Sequence, residues 1–182
     1  MEEAIIERLK KVKMVIFDSD GVLTDGRLIY DDKGSEMVVF DVKDGFGVRA
    51  LVESGLIVAV ISGRASEIVR RRAELLGVKE IYTGVKEKRN PYRELLKKYR
   101  LEADEVVYVA DDVYDLPLMK EVGISVAVAD GAADTIEEAD YVTKKNGGRG
   151  AVREIAEMVL RAKGLWQKVV DKLFDERRED NL

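Results

Sequence analysis

Two carboxylates, Asp18 and Asp20, stand two residues apart at the end of the apolar run Val12–Phe17, and Gly21 follows at once. An apolar strand that delivers an acidic pair to its own end places charge where it is costly, unless a cation or a proton sits there. Further along the chain, Ser62 ends a second apolar run, Lys86 and Lys88 follow a third, and Asp111, Asp112 and Asp115 follow a fourth. In an open parallel sheet the carboxyl ends of the strands converge on one crevice. Carboxylates, a hydroxyl and an ammonium gathered there suit Mg2+ and a phosphoryl group. Mg2+ binds through a few carboxylates and keeps waters, and a phosphoryl group needs donors and charge neutralisation. One Asp can serve as nucleophile, forming an aspartyl-phosphate, while the other protonates the leaving oxygen and then deprotonates water. Ser62 with its neighbouring N–H groups can hold phosphoryl oxygens, a Lys can neutralise growing charge, and an Asp of the fourth strand can complete the Mg2+ shell.

The elements that must position these groups alternate between strand and helix. Val12–Phe17, Leu56–Ile61, Glu80–Tyr82, Glu105–Ala110 and Ile124–Ala129 read as strands, with Asp140–Thr143 as a sixth. Helices are expected over Met1–Lys11, Gly45–Ser54, Ala65–Leu76, Pro91–Arg100 (capped by Asn90), Val113–Glu121 and Gly150–Ala162. This alternation predicts an α/β fold: a doubly wound, parallel, Rossmann-like sheet. Val22–Tyr30 and Glu36–Asp41 flank the turn Asp31–Gly34 and predict a β-hairpin flap over residues 22–41, directly after the acidic pair. About 40 residues separate Asp20 from Ser62, and about 20 separate Lys88 from Asp111, which leaves no room for a separate cap domain in either gap. The expectation is a single domain over 1–182, with a charged C-terminal tail over 166–182 that is solvated from Asp175 onward.

Composition narrows the chemistry. The chain has 182 residues, a net charge of −5, no cysteine and no histidine. Disulfide, thiol and imidazole chemistry are excluded, so catalysis falls to carboxylates, hydroxyls and amines, and any metal is a hard cation held by oxygen. The acidic balance argues against nucleic acid as a partner. No apolar run is long enough to span a bilayer, so no membrane partner is expected and a cytoplasmic location is.

As a set, these motifs resemble those of the haloacid dehalogenase superfamily: a strand ending Asp-x-Asp-Gly, a strand ending in Ser or Thr, a Lys, and a strand ending in an acidic pair. The likeness runs from about Val12 to Val152. It implies that Asp18 is the nucleophile, Asp20 the general acid/base, Ser62 and Lys88 the phosphoryl-binding groups, and Asp111 a Mg2+ ligand beside Asp18 and the backbone carbonyl of Asp20. Asp112 and Asp115 would support Lys88 or a metal-bound water.

Within the superfamily, Asp18–Gly26, Phe40–Arg49, Ile61–Arg64, Ala110–Asp115, Val126–Asp130 and Gly147–Glu154 resemble the capless branch. That branch dephosphorylates sugar acids such as 3-deoxy-D-manno-octulosonate 8-phosphate. The resemblance places Asp20, Asp41, Val42, Lys43, Asp44, Gly45, Arg49, Arg64, Arg72 and Lys88 at substrate-contacting positions. It also implies a homotetramer whose flaps associate. The chain departs from the branch at Asp41, where Asn is common, at Ala110, where Gly is usual, and at Ser19, where an aliphatic residue is usual. Asp41 leaves N-acylneuraminate 9-phosphate or another sugar phosphate as an alternative substrate.

Two other classes compete. A phosphate-accepting signalling domain also has an acidic pair, a Ser/Thr and a Lys, but its phosphorylated Asp ends the third strand, where this chain has Thr83-Gly84. A catalytically inert scaffold would not need Asp18, Asp20, Ser62, Lys88 and Asp111 together.

Overall fold

The run ahead of the acidic pair forms strand β1 (Met14–Phe17), buried along its whole length. The computed structural model describes residues 2–179, and the side chains of 3–172. β1 pairs in parallel with β4 (Ile57–Ser62) on one side and β6 (Val106–Ala110) on the other. Beyond these lie β5 (Glu80–Thr83), next to β4, and β7 (Ile124–Ala127) and β8 (Tyr141–Val142), next to β6. The order β5-β4-β1-β6-β7-β8 is a doubly wound sheet, with every pairing parallel. The chain winds outward from β1 to β5 and then returns to the other side of β1. That reversal opens a crevice at the carboxyl ends of β1, β4 and β6.

Alternation along the strands divides the interior in two. Val15 and Phe17 face one core and Met14 and Ile16 the other. The first core is covered by α1 (Glu2–Lys11), α2 (Val42–Glu53), α3 (Glu67–Leu75) and α7 (Ala151–Ala162), the second by α4 (Arg89–Tyr99) and the short α5 (Leu116–Met119). The remaining helices are α6 (Ala133–Glu138) and α8 (Trp166–Glu179).

Several boundaries differ from the sequence reading. α2 begins at Val42 rather than Gly45, because the Asp41 carboxylate accepts the Lys43 N–H at 2.6 Å and caps it. α4 begins at Arg89, ahead of Pro91, since an N–H in the first turn has no helical partner to lose. The helix expected over Val113–Glu121 is a 3-10 turn (Val113–Asp115) running into α5. α6 was not foreseen; its N-cap, Ala132, provides no side-chain signal. At the C-terminus α8 continues to Glu179, so Asp175–Glu179 of the expected solvated tail is helical, and the last three residues lie outside the described residues. Trp166 anchors α8 edge-on against Phe46 of α2 at 6.3 Å, and Leu165, Val169 and Val170 pack on the first core.

Between β1 and α2 the chain forms a separate antiparallel hairpin of β2 (Ile29–Tyr30) and β3 (Glu36–Met37). Its paired part is much shorter than the 22–41 flap expected. Among the described residues no helix is long and apolar enough to cross a membrane.

Candidate active site

Asp18 follows β1 and is buried; its N–H donates to the Val109 carbonyl of β6, which ties the residue to the neighbouring strand. Lys88, on the loop before α4, donates to Asp18 Oδ1 at 2.7 Å and to Asp115 Oδ1 at 2.5 Å, and its Nζ lies 3.3 Å from the Tyr108 hydroxyl. Burial would lower the Lys88 ammonium, but the charges of Asp18 and Asp115 and its hydrogen bonds to both raise it. Tyr108 donates to Asp115 Oδ1 at 2.5 Å. Burial, then the Asp115 and Asp18 charges, push the phenol well above its ordinary value, so it stays a neutral donor.

Asp111, after β6, leans over Gly21. A Cβ on Gly21 would stand 1.9 Å from Asp111 Oδ2, and Gly21 has a φ of +80°, so the turn after the acidic pair requires glycine twice over. One carboxylate oxygen each from Asp18, Asp111 and Asp115 lies within 4.8 Å of the others. Burial first, and then the Asp115 charge, push Asp18 up to about 6. Burial first, and then the Asp18, Asp115 and Asp112 charges, push Asp111 up to about 8. Crowded, desolvated carboxylates with only oxygen donors fit a hard divalent cation, which would relieve this repulsion.

Both carboxyls have folded-state values raised above the ordinary 3.8, so the stability they contribute is full below pH 4 and is lost as pH rises through about 6 and about 8. The cation-free protein is expected to melt several degrees lower at pH 8.5 than at pH 5.5, at roughly 2–4 °C per kcal/mol for a chain of this size. A divalent cation should restore more stability at the higher pH. Scanning calorimetry at the two pH values checks this; a melting temperature independent of pH and cation would show that the carboxylates do not share one site.

Asp20 points elsewhere. Arg64, just beyond β4, grips it with two bonds, Nε to Oδ2 at 2.7 Å and Nη2 to Oδ1 at 2.8 Å. The same guanidinium donates to Glu36 of the hairpin. Ser62 is buried at the end of β4, with its hydroxyl donating to the Arg64 carbonyl at 3.1 Å. Asp18, Asp111, Asp115 and Lys88 are therefore gathered at the ends of β1 and β6, Ser62 ends the adjacent β4, and Asp20 is held by Arg64.

The other predicted residues are distributed differently. Asp112 is exposed and caps the 3-10 turn through the Val113 N–H. Asp44 is buried, and its carboxylate accepts from Gly150 N at 3.1 Å and Arg153 N at 2.8 Å, so it ties α2 to the start of α7 rather than facing the crevice. Arg72 lies over the Phe40 ring at 5.8 Å and lines a small pocket with Asp41 and Gly45. Val42 is exposed, and Lys43 lines a groove with Lys144, Lys145 and Arg149. Arg49 pairs with Glu53 at 3.0 Å and lines a groove between α2 and α8, so within one chain it does not join the crevice.

The sequence reading missed Tyr108 and Glu36. Tyr108 had a faint signal, as the one residue with a polar tip in the run Val106–Ala110. Glu36 had none. Ser19 Oγ is buried without a hydrogen-bond partner, which fits the aliphatic residue usual there.

A family model for haloacid dehalogenase-like hydrolases matches residues 61–155. The 3-deoxy-D-manno-octulosonate 8-phosphate phosphatase KdsC of Yersinia pestis is 40% identical over 158 residues, which covers 87% of this chain and 84% of that protein. The chain belongs to the haloacid dehalogenase-like hydrolases. KdsC of Escherichia coli K12 is 41% identical over 88% of this chain and 85% of its own. Among solved structures of this family, the same phosphatase from Moraxella catarrhalis, in complex with a magnesium ion, a phosphate ion and a KDO molecule, superposes with a TM-score of 0.91 at 38% identity. That match covers 94% of this chain and 98% of the other. The cobalt-bound phosphatase of Haemophilus influenzae gives a TM-score of 0.82 at 42% identity, over 86% and 92% of the two chains.

Proposed function

We propose that this hydrolase is a Mg2+-dependent phosphatase that cleaves 3-deoxy-D-manno-octulosonate 8-phosphate through an aspartyl-phosphate on Asp18. The observation that supports the reaction is the cluster itself, where Asp18 lies 2.7 Å from Lys88 and shares its site with Asp111 and Asp115. The substrate rests on the identity to phosphatases named for it, over 87–88% of the chain. The enzyme is thus a phosphoric monoester hydrolase.

Asp18 attacks phosphorus, the ester oxygen leaves, and Asp20 gives that oxygen its proton. Asp20 then takes a proton from water, the water attacks the aspartyl-phosphate, and inorganic phosphate leaves with Asp18 restored. Lys88 and Ser62 hold the phosphoryl oxygens. Asp18, Asp111 and the Asp20 carbonyl would hold Mg2+, which would supply charge neutralisation for the phosphoryl group. Arg64 occupies both oxygens of Asp20, so one must be released before Asp20 can serve the leaving oxygen. An anionic group of the substrate is the natural competitor for that guanidinium.

Asp41 gives no ground for a different sugar. Its carboxylate caps α2 through the Lys43 N–H, a task Asn performs equally well. The signalling alternative loses support from strand order, because β5 is at the sheet edge and holds Thr83 away from the central crevice.

The same reading includes a homotetramer. Leu28, Tyr30, Met37 and Val39 of the hairpin region are exposed apolar residues, a patch suited to association between flaps. Light scattering should give the mass of four chains; a monomer with full activity would remove this part of the proposal. A charged sugar phosphate as substrate supports a cytoplasmic location.

The deciding experiment is phosphate release, with and without Mg2+, from 3-deoxy-D-manno-octulosonate 8-phosphate, N-acetylneuraminate 9-phosphate and an aryl phosphate. Mg2+-dependent release strongest with the first is expected. Preference for the second would replace the substrate, and release from none would overturn the reaction.

A further inference from the structure

Tyr108 is a tyrosine in a layer that has no use for a hydroxyl. Its ring lies in the second core with Met14, Ile16, Ile61, Leu95 and Leu118, and the residue is fully buried. A phenylalanine would fill that space without burying a polar atom, and a buried hydroxyl is costly unless it is bonded. The hydroxyl reaches the edge of the core and meets two groups of the site, Asp115 Oδ1 at 2.5 Å and Lys88 Nζ at 3.3 Å.

The directions of these bonds are fixed by chemistry. A carboxylate only accepts and an ammonium only donates, so the phenol gives its proton to Asp115 and accepts one from Lys88. Lys88 then has a partner for each of its three protons: Asp18 at 2.7 Å, Asp115 at 2.5 Å and Tyr108 at 3.3 Å. Two bonds set the rotation of the ammonium only while both hold, and the bond to Asp18 weakens as that carboxylate gives up its charge to phosphorus; the third partner keeps the ammonium from turning when it does. Asp115 is held as well, by two donors on one oxygen. That bond draws it toward Lys88, although it stands within reach of the Asp18 and Asp111 oxygens.

We propose that Tyr108 is a positioning residue for the phosphatase reaction, locking the rotation of the Lys88 ammonium so that one proton stays aimed at the attacking oxygen of Asp18 and the phosphoryl group it receives. This role rests on the function proposed above. It acts on the transition state rather than on substrate capture, because Tyr108 is sealed in the core and touches no part of the crevice that a sugar could reach. Loss of the bond should therefore appear in kcat and not in KM.

Tyr108→Phe tests this, since it removes one oxygen and keeps the ring. With an aryl phosphate at saturating Mg2+, kcat is expected to fall about tenfold, with KM within about twofold, the scale of one lost hydrogen bond to a charged group. A second readout does not depend on turnover. The 15Nζ signal of Lys88 should show slow proton exchange in the wild type and at least about tenfold faster exchange in Tyr108→Phe, because a freed ammonium meets water. Lower kcat together with faster exchange supports the role. Unchanged kcat, unchanged exchange, or a rise in KM alone overturns it. A wild type that hydrolyses no phosphate ester overturns the phosphatase reading and this role with it, whereas an active wild type matched by Tyr108→Phe overturns this role alone.

Discussion

Asp18→Asn is expected to lose at least about a thousandfold in kcat while keeping the fold, the scale on which removal of a nucleophile acts. The carboxamide has the shape of the carboxylate but lacks the charge needed to attack phosphorus. Stability should hold for a specific reason. Burial and the Asp115 charge already push the Asp18 carboxyl up to about 6, so its charged form is costly in the cation-free protein. Lys88 keeps Asp115 and Tyr108 as partners when Asp18 is neutral. Circular dichroism melts beside phosphate-release assays check both halves. Turnover within tenfold of wild type would remove Asp18 as nucleophile, and a collapsed melt would show that its charge is structural.

Gly147→Ala is the second large effect, and it acts from outside the crevice. A Cβ on Gly147 would stand 1.5 Å from the Gly21 carbonyl oxygen, a backbone atom that no rotamer change can move. The loop is held from both sides: Gly147 N–H donates to Asp130 at 2.9 Å, and Gly148 N–H donates to the Val22 carbonyl at 2.8 Å. The added methyl must push the turn after Asp20 or break these bonds. Gly21 in turn packs under Asp111, so a shift there moves the acidic pair relative to its partner carboxylate. A displacement of about 1 Å in such a site costs on the order of a hundredfold in rate. The variant is therefore expected to lose about a hundredfold in kcat and several degrees in melting temperature. Activity and melting both equal to wild type would show that the loop yields freely and does not brace the site.

Residue type and short-range spacing are enough to identify the strands and the candidate groups that follow them. The runs at Met14–Phe17, Ile57–Ser62 and Val106–Ala110 are β-branched and apolar because each strand is buried on both faces, and that pattern is local. Asp18, Asp20, Ser62, Lys88 and Asp111 could be picked out because polar residues at the ends of such runs are expensive and so stand out. The alternation with helices led to a parallel sheet, since a crossover is the only way to join parallel neighbours. The helix at the end of the chain is less legible, because α8 is charged and its apolar face has meaning only against Phe46 and the first core.

The parallel, doubly wound sheet and the candidate groups at its strand ends are therefore legible in the chain itself, since each is set by a few adjacent residues. How those groups are held depends on contacts between distant parts of the chain. The tertiary structure alone clasps Arg64 between Asp20 and Glu36, ties Asp44 to the start of α7, fits Gly147 against Gly21, and sets the Tyr108 hydroxyl between Lys88 and Asp115. Each of these contacts joins different elements of the chain or different ends of a crossover. Their geometry depends on how the strands stack and how closely the loops above them approach, and no local pattern of residues encodes that distance.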